Sequence, residues 1–160
     1  APKDAIELRN MMFTASKGLK HPIAIRYPRG RGEIVAWQKP FEKIEIRQIK
    51  KLQIGSKIVI FSTGTIGTNV TKALAEIVNS NLFSHFHFPF IKPLNDSKIV
   101  ELLNAHHQVI TIEDGAIKGG FGEQINTIIT NNNLNKTSIN LGIPDSFIEQ
   151  GTVFGQQQIC

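Results

Sequence analysis

The stretch KIVIFSTGTIGTNVTKALAEIV, residues 57–78, decides the fold of this chain. It opens with the apolar run of residues 57–62, which has the length and β-branched composition of a buried strand. A glycine-bearing turn, residues 63–67, leads into a predicted helix with apolar positions at Ala73, Leu74, Ile77 and Val78. A buried strand, a tight turn and a helix in this order are typical of one unit of a parallel α/β sheet.

The same alternation continues towards the C-terminus. Strands are predicted at 83–88, 108–112 and 137–141, and helices through Ile99 and Leu103 and over residues 121–130. Parallel strands need crossover connections, and helices of this length supply them. The sequence therefore predicts an α/β fold for residues 56–160: a three-layer αβα domain with a mostly parallel sheet.

The first third of the chain has a different organisation. A helix is predicted from Asp4, a good cap, to about Lys17, with Gly18 as its stop. A short strand is predicted at 22–27. Because one helix and one strand cannot form a domain, residues 1–30 are interpreted as the tail of a preceding α/β domain. Residues 31–55 are interpreted as a linker with an edge strand near 42–47, attached to a domain surface by Trp37 and Phe41.

The composition and charge of the chain indicate which classes of partner to expect. The 160 residues can bury one sizeable core and carry a net charge of +5. The lysines are scattered, and the densest group, over residues 39–51, has no interleaved aromatic platform, so no nucleic-acid partner is expected. No apolar stretch is long enough to span a bilayer, so no membrane partner is expected. The single cysteine, Cys160, fits a reducing cytosol and hence a cytoplasmic location. The start at Ala1, without a methionine, is interpreted as that of a fragment.

The run IAIRYPRG, residues 23–30, contains the candidate binding residues. Arg26 and Arg29 each offer a planar fork of donors that stays charged, which suits a phosphate or carboxylate. Pro28 and Gly30 shape the turn that follows. The alternative is a strand end with two solvated arginines.

Three other groups of residues have structural alternatives that we favour. The turn 63–67 could hold a phosphate, but it lacks the lysine of a nucleotide loop and fits a simple strand-to-helix turn. Glu113 and Asp114 could serve metal or acid–base chemistry, but the glycines at 119, 120 and 122 suggest close packing and helix entry. His85 and His87 could ligate a metal, but their phenylalanine neighbours favour packing on a sheet. No nucleophile elbow of a serine hydrolase occurs.

Four motifs in order carry a family resemblance: residues 23–30, 90–94, 111–123 and 141–152. Together they resemble the C-terminal end of the 1-deoxy-D-xylulose-5-phosphate synthases, thiamine-diphosphate-dependent relatives of transketolase. The resemblance covers the whole chain but only about the last quarter of such an enzyme. The glycine-rich motif alone would fit transketolases or the β subunits of 2-oxoacid dehydrogenases. The arginine run and residues 142–151 select the synthases.

The resemblance implies a function for the full-length protein. It would decarboxylate pyruvate on thiamine diphosphate, with Mg²⁺, and add the two-carbon unit to glyceraldehyde 3-phosphate, supplying isoprenoid, thiamine and pyridoxal synthesis. Arg29 takes the family's phosphate-binding position and Arg26 a supporting one. The catalytic, cofactor and metal residues would lie upstream, so this chain alone is expected to be inactive.

The resemblance also implies a homodimer and makes residues 1–30 the end of the pyrimidine-binding domain. The chain departs from the family at His87 and Pro89, where an aspartate and an arginine are usual, which puts the salt bridge of that pair in doubt. Besides the other transketolase-like enzymes, a non-catalytic interaction or dimerisation module of this fold stays open as an alternative.

Overall fold

The computed structural model describes residues 1–30, 36 and 38–160. Helix α1 (Ala5–Ser16) begins at Asp4, whose Oδ1 accepts a hydrogen bond from the Glu7 N–H at 2.8 Å. It ends before Gly18, where φ is 82°. Both signals read from the sequence, the acidic cap and the glycine stop, are confirmed.

Five strands form one sheet in the order β1–β3–β2–β4–β5. Their bounds are β1 (Lys50–Gln53), β2 (Ile58–Thr63), β3 (Phe83–His87), β4 (Gln108–Ala116) and β5 (Ser138–Ile143). Strands β2 to β5 pair in parallel, and β1 joins the edge of β3 antiparallel. The predicted mostly parallel sheet is confirmed.

The helices between the strands cover both faces of the sheet. They are α2 (Ile66–Glu76), α3 (Asp96–Asn104) and α4 (Phe121–Asn131). Because side chains alternate along a strand, Val59 and Phe61 of β2 pack with residues of α3 and α4, whereas Ile60 packs with α2. This arrangement is the predicted three-layer architecture.

The predicted strand at 22–27 is wrong. Residues 22–28 carry no strand in the structure. Ile23 and Ile25 instead pack against a small cluster formed by Met11, Ile44 and Phe90. The apolar alternation therefore reflects packing of single side chains onto α1 and the sheet, without a partner strand.

The edge strand also differs from its predicted position, since β1 covers residues 50–53 and not 42–47. Ile44, which contributed to the predicted alternation, is buried under α1. Phe41 stacks on Phe13 of α1 with ring centroids 5.1 Å apart, but Trp37 lies outside the described residues. A terminal helix, α5 (Val153–Ile159), was not predicted.

Strand β5 exposes an apolar face. Ile139, Leu141 and Ile143 on this strand are 57%, 46% and 36% exposed, and the residues between them are half-buried.

No helix among the described residues is long and apolar enough to cross a membrane.

Candidate functional site

Strands β2 and β4 flank the point where the chain reverses its direction across the sheet. The connection from β2 leads to β3 on one side, and the next connection returns to β4 on the other. Ligands of open α/β sheets bind beyond the carboxyl ends of strands at such a point. Here those ends carry the turn 63–67 after β2 and the acids Glu113 and Asp114 in β4.

Asp114 caps helix α2. Its Oδ2 accepts hydrogen bonds from the Thr65 hydroxyl at 2.6 Å and from the Ile66 N–H at 2.9 Å. Gly64 has φ of 81°, and a Cβ at this position would lie 2.7 Å from the same carboxylate oxygen. The turn therefore brings α2 onto an internal carboxylate, which supports the structural interpretation of this motif.

Glu113 caps the N-terminus of helix α4. Its two carboxylate oxygens accept from the Phe121 and Gly122 N–H groups, both at 3.0 Å, and its side chain is 5% exposed. A Cβ at Gly120 would lie 2.5 Å from Glu113 Oε1. The glycine thus permits the approach, and the structural interpretation of this pair of acids is supported over the catalytic one.

Each of the five α-helices described here has its N-terminus capped from within the chain. Besides α2 and α4, the caps are Asp4 for α1, Asn95 for α3 and Thr152 for α5. A helix N-terminus binds anions through free N–H groups and its dipole. Because these helix ends already have side-chain acceptors, an anionic ligand at this edge of the sheet depends on cationic side chains.

Arg26 lies against the carboxyl end of β4. A Cβ at Gly115 would come within 2.9 Å of Arg26 Nη1 and 3.0 Å of Glu113 Oε2. The guanidinium therefore occupies space that any other residue at 115 would fill, close to a buried carboxylate. Arg26, although exposed, therefore lies beside the reversal point.

Arg29 is exposed and makes no side-chain hydrogen bond or ion pair with the described residues. Gly30, with φ of 131°, follows it and turns the chain. Both arginines are exposed, and neither makes a side-chain hydrogen bond or ion pair within the described residues; they differ in that the Arg26 guanidinium lies beside Gly115 of β4.

The last of the four motifs, residues 141–152, reaches the same place. A Cβ at Gly142 would lie 2.8 Å from the Gly115 carbonyl oxygen and 3.0 Å from Glu113 Cγ. Beyond it, Lys118 pairs with Asp145 at 2.9 Å on the surface. The structure thus brings together three motifs that lie far apart in the sequence, and Gly115 is their common contact.

A buried polar network lies under α2 and α1. Ser62 Oγ is 2.8 Å from His85 Nε2 and 3.1 Å from His87 Nδ1, and His87 Nε2 is 2.9 Å from Glu7 Oε2. Lys50 Nζ reaches Glu7 Oε1 at 2.7 Å from the outside. A serine, a histidine and a carboxylate in series have the connectivity of a nucleophilic triad. Their exposures of 0%, 0% and 2% leave a substrate no access, so the network is structural.

The pKa values of Glu7 and His85 reflect both burial and the neighbouring charges. Burial by itself raises the pKa of Glu7, but the hydrogen bonds and charges of His87 and Lys50 outweigh it and lower this pKa to about 2. For His85, burial lowers the pKa to about 4, with further contributions from His87 and Lys3. The folded chain therefore favours an ionised Glu7 and a neutral His85.

The sequence interpretation favours packing on the sheet for the two histidines, and both are buried there. They lie on the α2 side of the sheet, as Phe83 does, whereas Phe86 and Phe88 pack in the core on the opposite side. The described residues contain no group of three or more histidine, cysteine or acidic side chains that could hold a metal. Glu7 was missed because nothing local in α1 shows a partner 80 residues away.

Comparisons with known proteins agree with this fold. A family model described as the transketolase C-terminal domain matches residues 47–156. The 1-deoxy-D-xylulose-5-phosphate synthase of Phocaeicola vulgatus is 38% identical over the whole chain, and that of Cytophaga hutchinsonii is 39% identical over 94% of it. The chain spans only 26% and 24% of these relatives. A solved structure described as a split-gene transketolase, an inactive β4 tetramer, has a TM-score of 0.76 at 19% identity, covering 92% of this chain and 48% of that one.

Proposed function

Because this chain belongs to the family of transketolase C-terminal domains, we propose that it is the C-terminal part of a 1-deoxy-D-xylulose-5-phosphate synthase. The full-length protein condenses pyruvate with glyceraldehyde 3-phosphate and releases CO2. It acts as a cytoplasmic homodimer that supplies isoprenoid synthesis. The observation that carries the proposal is the convergence of the three motifs on Gly115, at the edge of the sheet where such folds place ligands.

The role of this chain is to hold the phosphate of glyceraldehyde 3-phosphate. Arg29 supplies the main contact, since its planar guanidinium has no partner among the described residues and matches phosphate oxygens in pairs. Arg26, which lies beside Gly115, positions the segment and adds positive charge. The capped helix ends leave the arginines as the anion-binding groups of this edge.

The cofactor belongs to another part of the protein. Thiamine diphosphate supplies the carbanion chemistry in this family and is held through a metal-bound diphosphate. The residues described here do not fit that group, because Glu113 and Asp114 are both occupied as helix caps. The fragment by itself is therefore proposed to be inactive.

Steady-state kinetics of the full-length enzyme, with each substrate varied in turn, test the proposal. Arg29→Ala should lower kcat/KM for glyceraldehyde 3-phosphate by roughly ten- to a hundredfold, the effect of losing a charge-assisted contact of about 1.5–3 kcal/mol. The value for pyruvate should change much less, since pyruvate carries no phosphate. Arg29→Lys should recover little of the loss because an ammonium cannot replace the planar fork.

Two further variants are compared with Arg29→Ala. Lys20→Ala removes an exposed cation just before residues 23–30 and should leave the kinetics with both substrates unaffected. Arg26→Ala should affect both substrates, since it acts through the position of the segment. Equal losses for both substrates with Arg29→Ala would assign the phosphate to another residue. No loss for either would favour the non-catalytic module.

A further inference from the structure

A groove at the β1 edge of the sheet lies apart from the arginine segment, residues 23–30. It runs between the residues that lead into β1, β1 itself and helix α3, and its volume is about 560 Å³. None of its lining residues belongs to residues 23–30, to the capping acids or to the buried histidine network. A volume in the range of roughly 300–1,000 Å³ is typical of small-molecule sites.

The floor of the groove is apolar. Phe86 and Leu102, which are 6% and 8% exposed, belong to the main core and present their edges to the groove. Ile49 packs against the same core, and Ile54 stands at the rim with 60% of its surface exposed. The groove therefore offers a surface on which an aromatic or aliphatic group loses contact with water.

The rim is positively charged. Three of the lining residues, Arg47, Lys51 and Lys98, carry positive charge, and one, Glu45, carries a carboxylate. Lys98 is paired with Glu101 at 2.6 Å, but Arg47 and Lys51 have no side-chain hydrogen bond or ion pair within the described residues. Two cations that have no partner in the described part of the chain, at the mouth of an apolar groove, are complementary to one anionic group.

Arg47 also has an unusual backbone. The Gln48 N–H donates to the Glu45 carbonyl at 3.1 Å, and Arg47, inside this turn, has φ of 70°. Glycine or asparagine is the favoured residue at a turn position with positive φ. The chain thus carries an arginine at the rim where a smaller residue would fit the backbone better.

The edge strand itself is a poor partner for an added peptide strand. β1 has only four residues, begins with Lys50 and Lys51, and shifts register between Lys51 and Gln53. Short, charged and irregular edges resist pairing with another strand. A compact ligand therefore suits the groove better than an extended peptide.

From this geometry we propose that the groove binds a small organic anion. Its aromatic or aliphatic body lies on Phe86 and Leu102, and its carboxylate or phosphate head lies between Arg47 and Lys51. The proposal does not depend on the function assigned to Arg29, because the two sites share no residue.

NMR titration of the ¹⁵N-labelled 160-residue chain tests the site. Two amphipathic probes, 4-phenylbutyrate and phenyl phosphate, distinguish a carboxylate head from a phosphate head. Inorganic phosphate and 4-phenylbutan-1-ol each carry only one half of the proposed ligand. At least one amphipathic probe should shift the amide signals of Arg47, Lys51 and Leu102, and both half-probes should bind about tenfold more weakly or not at all.

Surface variants keep the fold and separate the two halves of the site. Arg47→Gln and Lys51→Gln should each weaken binding of the better probe severalfold, and Ile54→Ser should weaken it through the lost apolar contact. Lys57→Gln, an exposed lysine outside the groove, should have no effect.

Three results would overturn the proposal. The first is the absence of shifts with both amphipathic probes up to about 10 mM, which corresponds to negligible affinity. The second is a set of shifts centred on the exposed face of β5 instead of the groove. The third is binding that persists unchanged in both charge variants.

Discussion

Replacement of Glu7 by glutamine should destabilise the chain in a pH-dependent manner. Glu7 is 2% exposed and faces His87 at 2.9 Å and Lys50 at 2.7 Å. Glutamine keeps the shape of the side chain but removes its charge, much as protonation does. The pKa of Glu7 is lowered from 4.5 to about 2, which corresponds to up to about 3 kcal/mol in favour of the ionised carboxylate in the folded state.

The sign of the pH effect follows from this lowered pKa. A carboxyl whose pKa is lower in the folded state contributes its full stability above its unfolded pKa of 4.5 and loses it as the pH falls towards 2. At pH 7, Glu7→Gln should therefore lower the free energy of unfolding by about 2–3 kcal/mol, or roughly 4–12 °C in Tm. Near pH 2 to 3 the difference from wild type should shrink towards zero.

Urea denaturation followed by far-ultraviolet circular dichroism, at a series of pH values, measures this difference. Glu76→Gln, at the exposed end of α2, is the matched control and should stay within about 0.5 kcal/mol of wild type at every pH. A loss of the same size at pH 3 and pH 7 would refute the electrostatic reasoning. It would show that the carboxylate acts by packing alone.

Two further predictions concern the sheet. Gly120→Ala should lower the free energy of unfolding by about 1–3 kcal/mol, because its Cβ would overlap the Ala116 carbonyl oxygen and the Glu113 carboxylate. Gly151→Ala, whose Cβ would meet its nearest atom at 3.6 Å, should be close to neutral, and thermal melts measure the stability of both variants. His85→Gln should flatten the pH dependence of stability between about 6.5 and 4, because a buried histidine whose pKa is lowered to about 4 costs stability as the pH falls through that window. An unchanged slope in that variant, measured by denaturation at each pH, would contradict the neutral state of His85.

The central strand β2 could be predicted from the sequence because burial on both faces favours a run of apolar residues. Residues 58–63 are such a run, and the fold places them at the centre of the sheet. Strand β1 has no such signal, since its sequence KKLQ lies at an edge and is partly exposed. For residues 22–28 the sequence predicts a strand that the structure does not contain. Ile23 and Ile25 are apolar because they pack against the cluster of α1, Ile44 and Phe90.

The candidate site was predictable only in part. The arginines stand out in the sequence because two rigid cations beside a proline and a glycine are uncommon. The roles of Glu113 and Asp114 depend on helix ends at separations of 8 and 48 residues, which no local pattern shows. The groove beside Arg47 is likewise built from three separate segments of the chain.

The adjacent acids of β4 have a consequence for the folding of the sheet. Successive side chains of a strand point to opposite faces, so Glu113 reaches α4 in one layer and Asp114 reaches α2 in the other. A slip of β4 by one residue would turn each carboxylate towards the wrong layer and leave both helix ends without their acceptors. The two adjacent carboxylates therefore disfavour a shifted register of β4, because only one alignment with β2 lets both of them cap their helices.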